Sequence, residues 1–361
     1  PHLFGASFRD GEWSMIGRID KDIDYVMNVA EKSLVLNPSG DGAVVFNGMD
    51  SRTGAYGVFA LNLAAGTWSA AQRLDTGDGQ YPGNGASTTP KVVIDESGRL
   101  CATWLQMISG QRDIGTARRI PHAGAWYPNA KIPGTRNQAQ HLSLSVSPLG
   151  KVALAYEDVD ASGQHHVFAT RAADMSQWTD PIQFSSAFDA LEPNIAVDPS
   201  TEDEFVTFAS HRQRWFGNLR TGGQIPARVI LGRRYLAQLN AWEDERPVGD
   251  SCWQCANASP IYDFAGRALI TQVDGNSSMS AARFVTTPYW ARTSTNAGDL
   301  FVLSSVSKIP GSFSEVLESP IIRGPEPNPP APVFDTQGRA LQLWAFRLSE
   351  AHVVVRSARF R

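Results

Sequence analysis

The stretch Lys91-Val92-Val93-Ile94-Asp95-Glu96-Ser97-Gly98-Arg99-Leu100-Cys101-Ala102-Thr103-Trp104 decides the fold. A short β-branched run meets Asp-x-x-Gly, and a second apolar run leaves the turn at once and ends on an aromatic residue. Asp at the first position and Gly at the fourth suit a type I turn, and apolar runs of this length, rich in Val, Ile and Thr, read as strands. The same punctuation recurs at Asn37-Pro38-Ser39-Gly40, Ser147-Pro148-Leu149-Gly150, Asp198-Pro199-Ser200-Thr201, Asp263-Phe264-Ala265-Gly266 and Asp335-Thr336-Gln337-Gly338. Successive copies start 58, 52, 51, 65 and 72 residues apart, and the distance from the last one round through the termini to the first, 63, is of the same size. A strand repeat of roughly 40–60 residues is the signature of a propeller blade. The expected fold is therefore all-β, a six-bladed β-propeller of four-stranded antiparallel blades. A seventh, degenerate blade within 210–318 is the alternative, because that stretch is long for its share of the repeats.

Each unit continues with a third strand, as in Tyr56-Gly57-Val58-Phe59-Ala60 or Val167-Phe168-Ala169-Thr170, and a tight turn to a tryptophan. Trp13, Trp68, Trp126 and Trp178 each have an apolar residue six positions on: Ile19, Leu74, Ile132 and Phe184. An even offset puts both on one face of an outer strand, so the Trp is expected to plug the gap between neighbouring blades. Stretch 210–246 lacks a Gly-x-Trp turn. Gly11-Glu12-Trp13 precedes any strands of its own, and the last unit has no outer strand. Residues 5–19 are thus expected to complete the last blade and remove an open sheet edge.

No Pro/Ser-rich linker divides the 361 residues, so residues 1–361 are expected to form one domain. A formal charge of −4 argues against a nucleic-acid-binding surface, and no apolar run is long enough to span a membrane. Cys252-Trp253-Gln254-Cys255 is a lone CxxC, poor support for zinc and better read as a local disulfide of a secreted or periplasmic protein, with free thiols as the alternative. Cys101 lies mid-strand as a core thiol. No cofactor is expected. Asp20, Asp22 and Asp24 alternate as calcium ligands can, but without the glycine and glutamate of an EF-hand loop a solvated strand is the simpler reading.

Chemistry is expected on the face opposite the tight turns, where the connections between second and third strands read as long and polar. The candidate ligand-binding set is Gln106, Glu157, His211, Asp274 and Arg347 from the positions just past the inner strands, with Arg212, Arg214 and Trp215 from the richest loop. Arginine forks suit a carboxylate and an indole suits a sugar face, so these residue types together fit an anionic glycan. Solvated loops with no ligand are the competing reading. Glu157-Asp158 and His165-His166 are adjacent residues on strands; their side chains point to opposite faces and cannot simply cooperate.

Ser7-Phe8-Arg9-Asp10-Gly11-Glu12-Trp13 lies one residue out of register with Ser-x-Asp-x-Gly-x-x-Trp, and Ala65-Gly66-Thr67-Trp68 and His122-Ala123-Gly124-Ala125-Trp126 keep its Gly and Trp. On these residues the chain resembles the sialidase-like, Asp-box propellers over about four of its six units. Sialidases also carry a Phe-Arg-Ile-Pro motif, three substrate-binding arginines and a Tyr/Glu pair. Arg119-Ile120-Pro121 is the near match here, at the end of a third strand, so no catalytic residue is carried over. Related lyases use a His or Tyr base, for which His141, His211 and Tyr81 are available without a motif to select among them. The expected function is an extracytoplasmic propeller that binds a glycan on one face. The alternatives are a hydrolase or lyase acting on acidic polysaccharide, and a subunit that docks a protein.

Overall fold

The structure, a computed structural model, describes all residues except 7, 10–11, 14, 16, 30–31, 76–89, 109–110, 122–123, 129–130, 136–137, 185–188, 211–214, 218–223, 227–228, 248–253, 263–267, 277–280, 290–332, 335–339, 350–351 and 361. The described secondary structure is entirely strand. By contact the chain groups into two compact units, Pro1–Leu154 with Asp158–Asp160 and Thr170–Ile182, and Ala155–Glu157 with Ala161–Ala169 and Gln183–Arg361.

The repeat builds antiparallel meanders, one sheet per unit. The second sheet runs Lys91–Ile94, Leu100–Ile108, Gln111–Arg119, Tyr127–Pro128 in spatial order, and the third runs Gln140–Val146, Val152–Val159, His165–Ala172, Ile182–Phe184. The fourth is Ala190–Val197, Glu204–Ser210, Val229–Leu236, Ala241–Trp242. In the first sheet the opening strand is broken into Ile23–Asn28 and Leu34–Leu36, both on Gly42–Asp50, which pairs with Tyr56–Ala64. The last two sheets have three described strands each, centred on Ala268–Asn276 and Ala340–Ser349.

The turn chemistry repeats in the first three units. Gly40, Gly98 and Gly150 sit at φ 83, 82 and 92, where a side chain is disfavoured. Their N–H groups donate back to the carbonyls of Asn37, Asp95 and Ser147. The side chains of those three residues in turn accept the amides of Asp41, Arg99 and Lys151. The fourth turn lacks the glycine and is one residue longer: Asp198 accepts Ser200 and Thr201, and Glu202 takes the left-handed conformation at φ 60.

Both faces of a sheet are buried, so its strands are apolar on both faces. Ala43, Val45, Val58 and Ala60 of the first sheet pack with Val92, Leu100, Ala102 and Trp104 of the second, while Val44, Phe46, Phe59 and Leu61 fill the other side of the first sheet. The repeated tryptophans seal these seams. Trp126 is buried, with Nε1 donating to Asn62 Oδ1 at 3.1 Å and its amide donating to Gln72 Oε1 at 3.1 Å, both on the preceding sheet. Trp178 repeats the contact one unit later, donating to Thr116 Oγ1 at 3.3 Å. Leu74, Ile132 and Phe184, the residues six positions on, are buried as the spacing requires. Trp68 is half-buried against the first sheet, beside Leu3 and Ile19. A further tryptophan of this class was missed: Trp242 follows Asn240, whose φ of 49 supplies the left-handed residue that glycine supplies elsewhere, and its ring meets Phe184 edge-on at 4.7 Å.

Among the described residues the N-terminal segment pairs with itself: Phe4 faces Arg18, Gly5 faces Gly17 and Phe8 faces Trp13. Closing a short hairpin costs less chain entropy than a pairing across the whole sequence. The segment is held by Ile19 N–H donating to Leu3 O, by Val26 N–H donating to Pro1 O, and by buried Asp20, gripped by Arg18 at 2.9 Å and His2 at 3.1 Å. That use of Asp20 removes it from the alternating calcium set. One expectation needs correction: most second-to-third-strand connections are short. The strands run on to Ile108 opposite Gln111 and to Asn276 opposite Ala281, so residues read as loop lie in the ladder. The fourth connection, residues 211–228, is the long one among the described sheets, and part of it forms the hairpin Trp215–Gly217 with Gln224–Pro226.

Candidate functional site

Lengthening the strands moves the sequence-selected polar residues from loops onto strand ends, where the backbone is fixed before any ligand arrives. Gln106 faces Asp113 in the ladder, and its Oε1 accepts Trp104 Nε1 at 3.1 Å. Asp274 stands between Cys255 and Arg283, and Arg347 lies opposite Val353, next to a register shift. Trp215 opens the hairpin strand opposite Pro226. His211, Arg212 and Arg214 lie outside the described residues, as do Tyr81 and Cys252.

Glu157 is where the structure adds most. It is wholly buried, and its two oxygens are engaged by different elements. Oε1 meets His165 Nδ1 at 2.5 Å across the hairpin formed by Val152–Val159 and His165–Ala172. Oε2 accepts the backbone N–H of Glu192 at 3.0 Å. The His165 backbone is fixed in turn, its N–H donating to Asp189 Oδ1 at 3.1 Å. The imidazole is 32% exposed, so a buried carboxylate orients a ring that reaches solvent. His166, on the opposite face, pairs through Nδ1 with Gln183 Nε2 at 3.1 Å.

The sequence reading rightly separated His165 from His166 and Glu157 from Asp158, yet missed that the same rule joins Glu157 to His165. In an antiparallel hairpin residues of matching parity share a face, and diagonal neighbours are within reach of long side chains. Another buried acid, Asp113, is saturated by Lys131 at 2.7 Å, by Thr135 at 3.0 Å and by the amide of Ile114. Burial pushes the Cys101 thiol up to about 12, so it supplies no thiolate nucleophile at neutral pH. Among the described residues no group of three or more His, Cys, Asp or Glu could hold a metal ion.

Four-stranded meanders stacked through repeated tryptophans have close counterparts among solved structures. An ulvan lyase of polysaccharide lyase family PL25, bound to -[GlcA(1-4)Rha3S]-, superposes with a TM-score of 0.58 at 12% identity over 94% of this chain and 82% of that one. The chain is a β-propeller. The propeller is also similar to the α-L-arabinofuranosidase Arb93A of Fusarium graminearum, with a TM-score of 0.51, 11% identity and coverage of 94% and 96%. The Hadza microbial sialidase Hz136 matches at a TM-score of 0.50 and 12% identity over 84% of this propeller and 64% of the sialidase. The propeller architecture read from the repeated Gly and Trp positions is thus shared with a sialidase among these structures. No protein-family profile matches the sequence, and no curated protein matches it. Among the described residues no helix is long and apolar enough to cross a membrane.

Proposed function

We propose that this propeller recognises a glycan, most naturally an acidic one, through the face that carries the Glu157–His165 pair. The observation that carries the reading is the partly exposed imidazole of His165 fixed by a carboxylate that has no exposure of its own. A buried charge is costly unless it is paired, and here the pairing presents a polar ring to solvent on a rigid strand. Glycan-active neighbours of the same fold support the reading, and so do the arginines and indole that the sequence offers: Arg212, Arg214, Trp215 and Arg347. Secretion or export to the periplasm fits such a ligand.

A second reading, cleavage of an acidic polysaccharide, draws on the same pair, because a carboxylate-oriented histidine is suited to general base work. The test is a panel of acidic and neutral polysaccharides, scored for retention on immobilised glycan and for new reducing or unsaturated ends. Retention of an acidic glycan without new ends is the expected result. Unsaturated ends identify a lyase and new saturated reducing ends a hydrolase. A panel blank in every arm overturns both glycan readings and leaves a protein-docking subunit.

A further inference from the structure

We infer that Arg112 binds the anionic group, a carboxylate or a sulfate ester, of the acidic glycan; this rests on the glycan reading only for where that group comes from. Arg112 is the second residue of the strand Gln111–Arg119 and stands opposite Met107, at the end of the second sheet where its second and third strands join. The same end of the third sheet carries His165. Side chains alternate along a strand, so Arg112 shares a face with Thr116, and Thr116 accepts the Trp178 indole of the next unit. Arg112 therefore lies on the side of the second sheet turned to the third. Its backbone is pinned there: it bridges to Gln138, and its carbonyl accepts the N–H of Ala139 at 3.4 Å, in the segment that leads into the strand Gln140–Val146. The residue is half-buried, and its Nε is closed off from solvent with no hydrogen-bond partner among the described residues. Its chain neighbour Asp113 belongs to the opposite face and is taken by Lys131 and Thr135, and no other carboxylate among the described residues forms an ion pair with Arg112. Arg119, at the far end of the strand, also has an enclosed Nε, but Asp41 is there to balance its charge. A half-buried cation without an anion carries a desolvation cost that an incoming oxyanion offsets. With Nε enclosed, the two Nη groups are the fork that remains, and that fork takes two oxygens of one carboxylate or sulfate side by side.

Calorimetric titration of full-length wild type, Arg112→Gln and Arg112→Lys at fixed ionic strength tests this with an unsulfated uronic-acid oligosaccharide, a sulfated oligosaccharide of neutral sugars, and inorganic sulfate. Wild type should bind an acidic oligosaccharide, the one that binds naming the group, and should bind inorganic sulfate more weakly. R112Q should lose roughly 10- to 100-fold in affinity for each probe that wild type binds, the effect of removing a hydrogen bond to a charged group. R112K should recover only part of the loss, because an ammonium keeps the charge without the fork. In chloride alone the Tm of R112Q should equal that of wild type, since the guanidinium has no protein anion to lose. Equal affinities of wild type and R112Q for a probe that wild type binds overturn the inference. A Tm of R112Q several degrees below wild type in chloride overturns it too, by making Arg112 a structural cation, and so does a wild type that binds none of the three probes. Inorganic sulfate bound by wild type and lost in R112Q, with both oligosaccharides unbound, keeps Arg112 as an anion site and removes the glycan.

Discussion

Replacing Trp126 by alanine is expected to destabilise the protein by about 3–5 kcal/mol, the range for removing a buried tryptophan. The indole fills the seam between the first two sheets, beside Val58, Ala60, Leu100 and Ala117. Part of the cost is polar. Asn62 Oδ1 is buried, and the indole N–H is its donor at 3.1 Å, so even Trp126→Phe should lose about 1–3 kcal/mol by leaving that oxygen unpaired. Trp178 stands in the same relation to Thr116 and should behave in the same way. Chemical denaturation of the three variants checks this, and a Trp126→Ala midpoint equal to wild type would show that the seam is not sealed by the indole.

Gly115→Ala is the second large effect, from overpacking instead of a void. Gly115 pairs directly with Trp104 across the second and third strands of its sheet, and the indole lies over it. A Cβ built at Gly115 would stand 2.3 Å from Trp104 Nε1 and Cε2, well inside contact distance. The ring has nowhere to go, since Trp104 is buried and its Nε1 is held by Gln106. A cost of about 1–3 kcal/mol is expected, towards the upper end because the neighbour is rigid. Thermal unfolding of G115A should show it, and the loss should shrink in the double variant with Trp104→Phe, where the clashing atoms are gone.

The blades were legible because turn and strand chemistry repeat: Asp95 and Ser147 do the same work with different atoms, and both announce themselves by Gly98 and Gly150. Where another residue adopts the left-handed conformation the signal disappears, which is why Asn240 hid Trp242. The N-terminal hairpin escaped because Trp13 carries an outer-strand signature while its partner, Phe8, is five residues away. Strand polarity and parity are visible in a sequence, but how far a hairpin continues is not. Gln106, Asp274 and Arg347 therefore read as loop residues and proved to be ladder residues. The Glu157–His165 pair depended on that extent, and its second support, the amide of Glu192, depends on a bulge that no residue type announces.

Calorimetric titration of wild type and His165→Ala with uronic-acid oligosaccharides tests the glycan site most directly, with Tm measured on both proteins. Affinity should fall roughly 2- to 10-fold in the variant, the equivalent of one hydrogen bond of about 0.5–1.5 kcal/mol, at nearly unchanged Tm. Should the wild type cut the glycan, the rate is expected to fall about 10²–10⁴-fold instead. Wild type that binds the oligosaccharide while His165→Ala binds and acts on it equally well would contradict a glycan site built on Glu157 and His165.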